Sequence, residues 1–423
     1  MVSDPQPVNQ ETLDERYRAP RAGRQGLAIC LSGGGYRAAL FHAGALRRLN
    51  EAGLLSRART FSSVSGGSIS NALLARVWPQ LRADASGVFA EFDPLFEQPL
   101  RTFCARDIRT GPLLWKRLNP LNWPRLARQT FSAIDFLAEE YREHLVGPLT
   151  LAQLPRAPRF IFCAANLETG VNFEFSAERI GDYVLGYTAP ASPLLGTTLV
   201  ADAVAASSAF PLFPPLVRDF PAGTFQGGNV NALPTGVTLG GRVKLTDGGV
   251  YDNMGLEPAW KTHRQVLVSD GGKPFSVISR AGVSLLPRLA RSYQVIANQS
   301  EALRKRWLIA SYLNGVYQGT YWGLGTDKEE YVEAPTVSSL PGYTDRVLDA
   351  LREVRTDLDH FRPGEQSVLM NHGWCLANAA LSRWGADLGV GAGPATPPAP
   401  ELLDPDRALQ ALAGSSSVRV FGH

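Results

Sequence analysis

Apolar positions first become continuous at Leu27–Leu31, after a polar segment of residues 1–25. A run this short, bounded by glycine and polar residues, predicts a buried strand and leaves 1–25 as a flexible lead-in. The turn Gly33-Gly34-Gly35 follows, and AALFHAGALRRLNEAGLL then repeats apolar side chains at helical spacing until Gly53 offers a stop. The same unit recurs at once: Arg59 to Val64 predicts a second strand, and SGGSISNALLARVW a tight polar turn feeding a second helix. Strand, glycine turn and helix twice in succession is the signature of an α/β domain.

Between about residues 85 and 156 the pattern breaks into amphipathic pieces separated by Pro and aromatic residues, which predicts a helical insertion. Regular alternation returns in RFIFCAANLETGVNFEFS, two strands around a polar turn, followed by the small-residue helix LVADAVAASSAF and its proline stop. VKLT and QVLVS each read as a short strand delivering an Asp-Gly-Gly turn, at Asp247 and at Asp270. Residues 286–313 predict one or two long helices with Pro287 near the start, and VLMNHGWCLANAALSRW a further one. GADLGVGAGPATPPAP is rich in Gly, Ala and Pro and predicts a linker to a C-terminal tail over 387–423. The expected architecture is therefore a central mixed, mostly parallel sheet flanked by helices over residues 26–386, with the helical insertion inside it.

Composition narrows the function classes. A chain of 423 residues with 44% hydrophobic positions buries a core without disulfides or structural metal. Its net charge of +3, from 42 basic and 39 acidic residues, points to no nucleic-acid partner. Cys30, Cys104, Cys163 and Cys375 are scattered, forming neither a metal motif nor a disulfide framework. With no apolar core of a secretory signal in the opening residues, a reducing, cytoplasmic setting is the expectation. No acidic cluster suggests a calcium loop, so no cofactor and no metal are expected.

The candidate chemistry lies at the glycine turns. Backbone amides of Gly33, Gly34 and Gly35, at the end of a strand and the start of a helix, are placed to stabilise a developing oxyanion, with Arg37 adding positive charge. A tight turn with Arg37 in a salt bridge is the structural alternative. The fit of this segment to a dinucleotide fingerprint fails at the second strand, which ends in Ser63-Val64-Ser65-Gly66-Gly67 without the acidic ribose ligand. That same junction resembles a nucleophile elbow, with Ser65 exposed by Gly66 and Gly67 and Ser63 standing where the usual pattern has glycine. Ser65 as a simple helix cap is the competing assignment. Serine needs a base; Asp247 is the leading candidate and Asp270 its rival, while His263, His360 and His372 keep a conventional triad open and His42, near the start of the first helix, fits a core polar bond instead.

Taken together, Gly33-Gly34-Gly35-Tyr36-Arg37, Ser63-Val64-Ser65-Gly66-Gly67, Ala205-Ala206-Ser207-Ser208-Ala209-Phe210-Pro211 and Asp247-Gly248-Gly249 with Asn253 resemble the patatin-like phospholipase family, related to the cytosolic phospholipases A2. The resemblance spans roughly residues 26–256. It implies a patatin-like fold, a Ser65–Asp247 dyad, an oxyanion site at Gly33–Gly35, and a lipid or phospholipid ester substrate cleaved through an acyl-enzyme. A general carboxylesterase or acylglycerol lipase, and a lipid-binding regulator on a degenerate hydrolase fold, are the alternatives. Phe103, Leu114, Trp115 and Trp123 supply either a cap for an acyl chain or internal core. Arg304, Lys305 and Arg306 fit either a solvated helix with salt bridges or a peripheral membrane contact; the oligomeric state is unread.

Overall fold

The structure is a computed structural model that describes residues 24–416 apart from 112–114, 212, 230–238, 240, 276, 279–283, 332–339 and 391–394. Most of the polar lead-in, residues 1–23, and Leu114 of the proposed cap lie outside the described residues.

Among the described residues ten strands form one sheet. Five are parallel neighbours in the order β10 (Gln318–Gly323), β9 (Gln265–Asp270), β1 (Leu27–Leu31), β2 (Ala58–Val64) and β3 (Arg159–Asn166). β1, buried along its whole length, is the innermost, which is why its sequence is uniformly apolar rather than alternating. Beyond β3 the sheet turns antiparallel through β4 (Asn172–Phe175), β5 (Ile180–Asp182) and β6 (Gly186–Tyr187). β7 (Leu216–Asp219) pairs with β8 (Arg242–Asp247), which returns to β3. The mixed, mostly parallel sheet expected from the strand-helix alternation is what forms.

β8 is the element that makes a site. Val64, the last residue of β2, pairs with Cys163 of β3, and Asp247, the last of β8, pairs with the next residue, Ala164. Ser63 and Phe175 both pair with Phe162, so β2 and β4 occupy opposite edges of β3. Phe173 and Asp247 likewise share Ala164, which puts β8 on the β2 edge. β2 and β8 thus run along one edge of β3 from opposite directions and end head to head.

Helix α1 (Gly35–Glu51) leaves the glycine turn and is buried on nearly every side, because α9 (Pro363–Trp384) covers the face turned from the sheet. Helix α2 (Gly66–Val77) leaves the second turn. The insertion contributes α3 (Gln98–Cys104) and α4 (Ala133–Tyr141), and its Phe96, Leu100 and Phe103 join the main core. Part of the expected cap is therefore interior: Phe103 is buried, whereas Trp115 and Trp123 face solvent. α5 (Val200–Ser207), α6 (Gly249–Asp252), α7 (Leu285–Leu313) and α8 (Asp345–Glu353) complete the helices used below.

The C-terminal segment corrects an expectation. Its described residues are not a loose tail: α10 (Pro405–Leu412) buries Ala408 and Leu412. Asn371 holds Ala399 by both amide and carbonyl (2.9 and 2.6 Å), and Ser415 sits against Glu365 and Arg355. Proline-rich composition reads as a linker because it forms little regular structure; the buried Asn371 side chain supplies the backbone partners instead.

Candidate active site

Ser65 follows β2 directly and takes φ 48°, ψ −117°, a region that non-glycine residues rarely occupy. This bend turns its side chain out of the sheet, and the strain is held by close packing on both sides. Gly66 has no room for a β-carbon, which would strike the Gly35 carbonyl. Below the elbow, Ser65 N–H donates to Ser207 Oγ (2.9 Å), and Ser207 Oγ donates to the Cys163 carbonyl (2.7 Å). The small-residue helix α5 is small because it runs directly under this turn. Ser63 is buried, hydrogen-bonded to the Ile161 carbonyl (3.1 Å), Ser68 (3.0 Å) and Asn71 (2.8 Å), so the residue replacing glycine at that position is fully accommodated.

Asp247 meets Ser65 from the opposite strand end. Its carboxylate lies close enough to the Ser65 hydroxyl to interact with it and accepts the Gly249 N–H (2.7 Å). Burial raises its pKa to about 6, and the hydrogen bonds from Gly249 and Ser65 hold it from rising further. Backbone anchors fix it: Asp247 N–H to the Ala209 carbonyl (2.8 Å) and Gly248 N–H to the Ser207 carbonyl (3.3 Å). The Ala205–Pro211 run therefore braces both partners.

The glycine turn lies against the elbow, with the Ser65 β-carbon beside Gly33. Gly33 N–H is already given to the Asn253 carbonyl (3.0 Å), so it is not available to an anion. The amides of Gly34, Gly35 and Gly66 have no backbone acceptor among the described residues. Gly34 and Gly35 adopt φ 140° and 61°, which lifts their N–H groups off the β1 ladder.

Arg37 does not face the site. It is wholly buried, giving Nε and Nη2 to the Gly271 carbonyl (3.2 and 3.0 Å) and Nη1 to the Val354 carbonyl (2.9 Å). Burial lowers its pKa to about 10, partly offset by Asp270, Glu301 and Glu353. Its role here is to tie the glycine turn to two distant segments, and Tyr36 N–H adds a third bond to the Asp357 carbonyl (2.9 Å). Replacing Arg37 by Met leaves the Gly271 and Val354 carbonyls without donors. The expected loss is about 2–4 kcal/mol in a urea-denaturation midpoint series, with the cooperative transition retained.

The rival groups lie elsewhere. Asp270 accepts the Gly272 N–H (2.9 Å) and the Tyr321 hydroxyl (2.7 Å) and lies beside the Glu301 carboxyl, on the far side of the glycine turn. Lys273 pairs with Glu353 rather than with Asp270. His42 bridges Ser269 (2.8 Å) and the Ser32 carbonyl (2.9 Å), and His372 bonds the Leu324 carbonyl (2.8 Å); burial holds both near pKa 4. His263 packs on the Ala259 turn and His360 is exposed. The bonds of His42, His263 and His372 are thus made away from Ser65 and Asp247. Among the described residues no group of three His, Cys, Asp or Glu side chains is arranged to hold a metal ion.

The site thus sets a serine on a strained elbow near a buried carboxylate of raised pKa, beside glycine amides without backbone acceptors among the described residues, on a mixed α/β sheet. The family model of the patatin-like phospholipases matches residues 29–260, more than half of the chain, and the chain belongs to that family. No curated protein matches. Among solved structures, human GIVD cytosolic phospholipase A2 is 13% identical, with 95% of this chain covering 61% of that one at a TM-score of 0.43. VipD from Legionella pneumophila is 15% identical over 86% of this chain and 68% of that one, at a TM-score of 0.32. The chain thus spans less than two thirds of the length of the human protein.

Proposed function

We propose that the chain hydrolyses acyl esters of phospholipids or related lipids through a Ser65–Asp247 dyad. The observation that carries this reading is the head-to-head ending of β2 and β8, which brings Ser65 and the buried Asp247 carboxylate together next to the glycine turn, near amides of Gly34, Gly35 and Gly66 that have no backbone acceptor among the described residues. Asp247 takes the Ser65 proton as Oγ attacks the ester carbonyl. The tetrahedral oxyanion forms where the free amides point, and fixed donors favour it over the neutral ester. Collapse expels the alcohol or lysolipid, which receives the proton from Asp247. Water, deprotonated by the same carboxylate, then releases the fatty acid and restores Ser65. Half-exposed apolar side chains at Phe210 and Val250, the first near the Ala209 anchor of Asp247 and the second three residues beyond it, give an acyl chain a surface to follow.

The base must be ionised to act. With Asp247 raised to about 6, kcat/KM is expected to climb from acid pH, pass its half-maximal value near pH 6 and level above it. Turnover of p-nitrophenyl butyrate measured across the acid-to-alkaline range, from about two units below that value to about three above it, checks this; a flat profile would remove Asp247 from the role. Product analysis with phosphatidylcholine, triacylglycerol and short esters separates phospholipase, acylglycerol lipase and carboxylesterase, and bound lipid without turnover would mark a binding protein.

A further inference from the structure

Helix α7 is amphipathic in the reverse sense. It runs 29 residues, about 43 Å at the usual rise, along the side of the molecule that carries the site. Tyr293 lies close enough to Asp247 to feel its charge, and Glu301 lies beside Asp270 at the loop behind the glycine turn. Of the charged residues of its second half, Glu301, Arg304 and Lys305 face the protein. Arg304 reaches the Tyr251 carbonyl (3.2 Å) and Glu257 (3.5 Å), and Lys305 lies 4.5 Å over the Tyr321 ring. Leu308 and the Tyr312 hydroxyl, donating to the Val266 carbonyl (2.8 Å), complete that packed side.

The opposite side is apolar. Leu285, Leu289, Ile296 and Leu303 follow one another at steps of four, seven and seven residues, which places them on one stripe of the helix. They are 59%, 55%, 70% and 59% exposed. Arg288 and Arg306 flank the stripe, exposed and without an ion-pair partner among the described residues. The only acidic residue of α7 is Glu301, which faces inward.

We infer that this stripe is a docking face for an anionic lipid surface, holding the Ser65–Asp247 site at the interface where ester substrate resides. The inference rests on the lipid-ester reading above. Four exposed aliphatic side chains in register gain by entering the acyl boundary, and the two arginines reach lipid phosphates while their stems stay in apolar contact. A second copy of the chain fits the seven-residue spacing equally well but not the charge. Helices paired through this stripe would bring arginines near one another with no acidic residue on the face to compensate.

The test uses the full chain carrying Ser65→Ala, so that vesicles stay intact, cosedimented with phosphatidylcholine vesicles with and without phosphatidylglycerol. Binding to the anionic vesicles is expected, weakening as salt is raised. Substituting Leu289, Ile296 and Leu303 together by Asp should weaken partitioning roughly tenfold or more. Arg288→Gln and Arg306→Gln should each weaken it about fivefold at low salt. In the Ser65 background the same changes should leave turnover of a soluble short-chain ester within about twofold of the parent, because they touch no site residue. Unchanged vesicle binding by the triple variant overturns the inference. So does a parent dimer, seen in sedimentation velocity, that the triple variant dissociates while neither binds vesicles. Vesicle binding through this face by a chain that cleaves no ester would support the docking surface and defeat the hydrolase reading.

Discussion

Ser65→Ala is expected to reduce ester hydrolysis roughly 10⁴-fold or more, to a residue left by the amides and binding alone. The substitution removes the attacking oxygen while leaving the elbow intact, since Ala fits wherever Ser does and the backbone bonds of Ser65 do not use Oγ. Asp247→Asn should cost a comparable factor for a different reason. The amide keeps the shape and can still accept the Gly249 N–H, but it cannot take a proton from the serine. On the proposed dyad mechanism the two act as one unit, and the double variant should be scarcely slower than either single one. Steady-state kinetics on a soluble ester, with circular dichroism to verify folding, reads all three. Retention of activity within tenfold in Asp247→Asn would reassign the base, and the acid limb of the pH profile would have to survive that change. A serine-directed fluorophosphonate provides an independent readout: labelling should fall at Ser65 and be slowed strongly by Asp247→Asn.

How far the sequence anticipates this site depends on the range of the contacts involved. The elbow and glycine turn are local: a strand, two or three glycines and a helix start occupy consecutive positions, so the pattern alone predicts them. The meeting of Ser65 with Asp247 is not local. It requires β8 to pair antiparallel with the last residues of β3, a register set by three residue pairs, Ala164 to Asn166 with Leu245 to Asp247, far apart in the chain. Only the family resemblance carries that information. Arg37 shows the opposite failure, since a cation beside a glycine turn reads as an anion ligand. In the fold its donors are taken by Gly271 and Val354, carbonyls brought in from 234 and 317 residues away. Ser207 has a stronger signal: a run of Ala and Ser just before a proline stop suggests close packing, and the elbow is what it packs beneath. The segment at Val354–Asp357, which lies beyond the matched family region, carries no comparable signal, because its contribution is made by backbone carbonyls that any residue supplies.

Gly44→Ala and Gly373→Ala should each destabilise the fold by about 3 kcal/mol or more, at the upper end of overpacking costs. Both glycines lie where α1 crosses α9. A β-carbon on Gly44 would fall on the Met370 carbonyl, and one on Gly373 on the Phe41 carbonyl. Neither obstacle is a flexible side chain, so relief requires the two buried helices to separate, and packing around Phe41, Leu369 and Met370 is lost as they do. The effects should be less than additive in the double variant, because the first separation makes room for the second. Gly196 provides the contrast: it is exposed, lies in a short helix, and a β-carbon added there would meet nothing within 4 Å, so Gly196→Ala should be neutral or stabilising by up to about 1 kcal/mol. Urea midpoints of these variants and the parent decide the matter, with Gly373→Ala within about 0.5 kcal/mol of the parent, roughly the surface-substitution range, counting against so close a crossing. The consequence reaches the site because the first turn of α1 holds Gly35, and the Gly34 amide precedes it. If the proposed mechanism holds, any variant that survives with α1 displaced should lose more in kcat than in KM, since in it the displaced amides bind the oxyanion and not the ester.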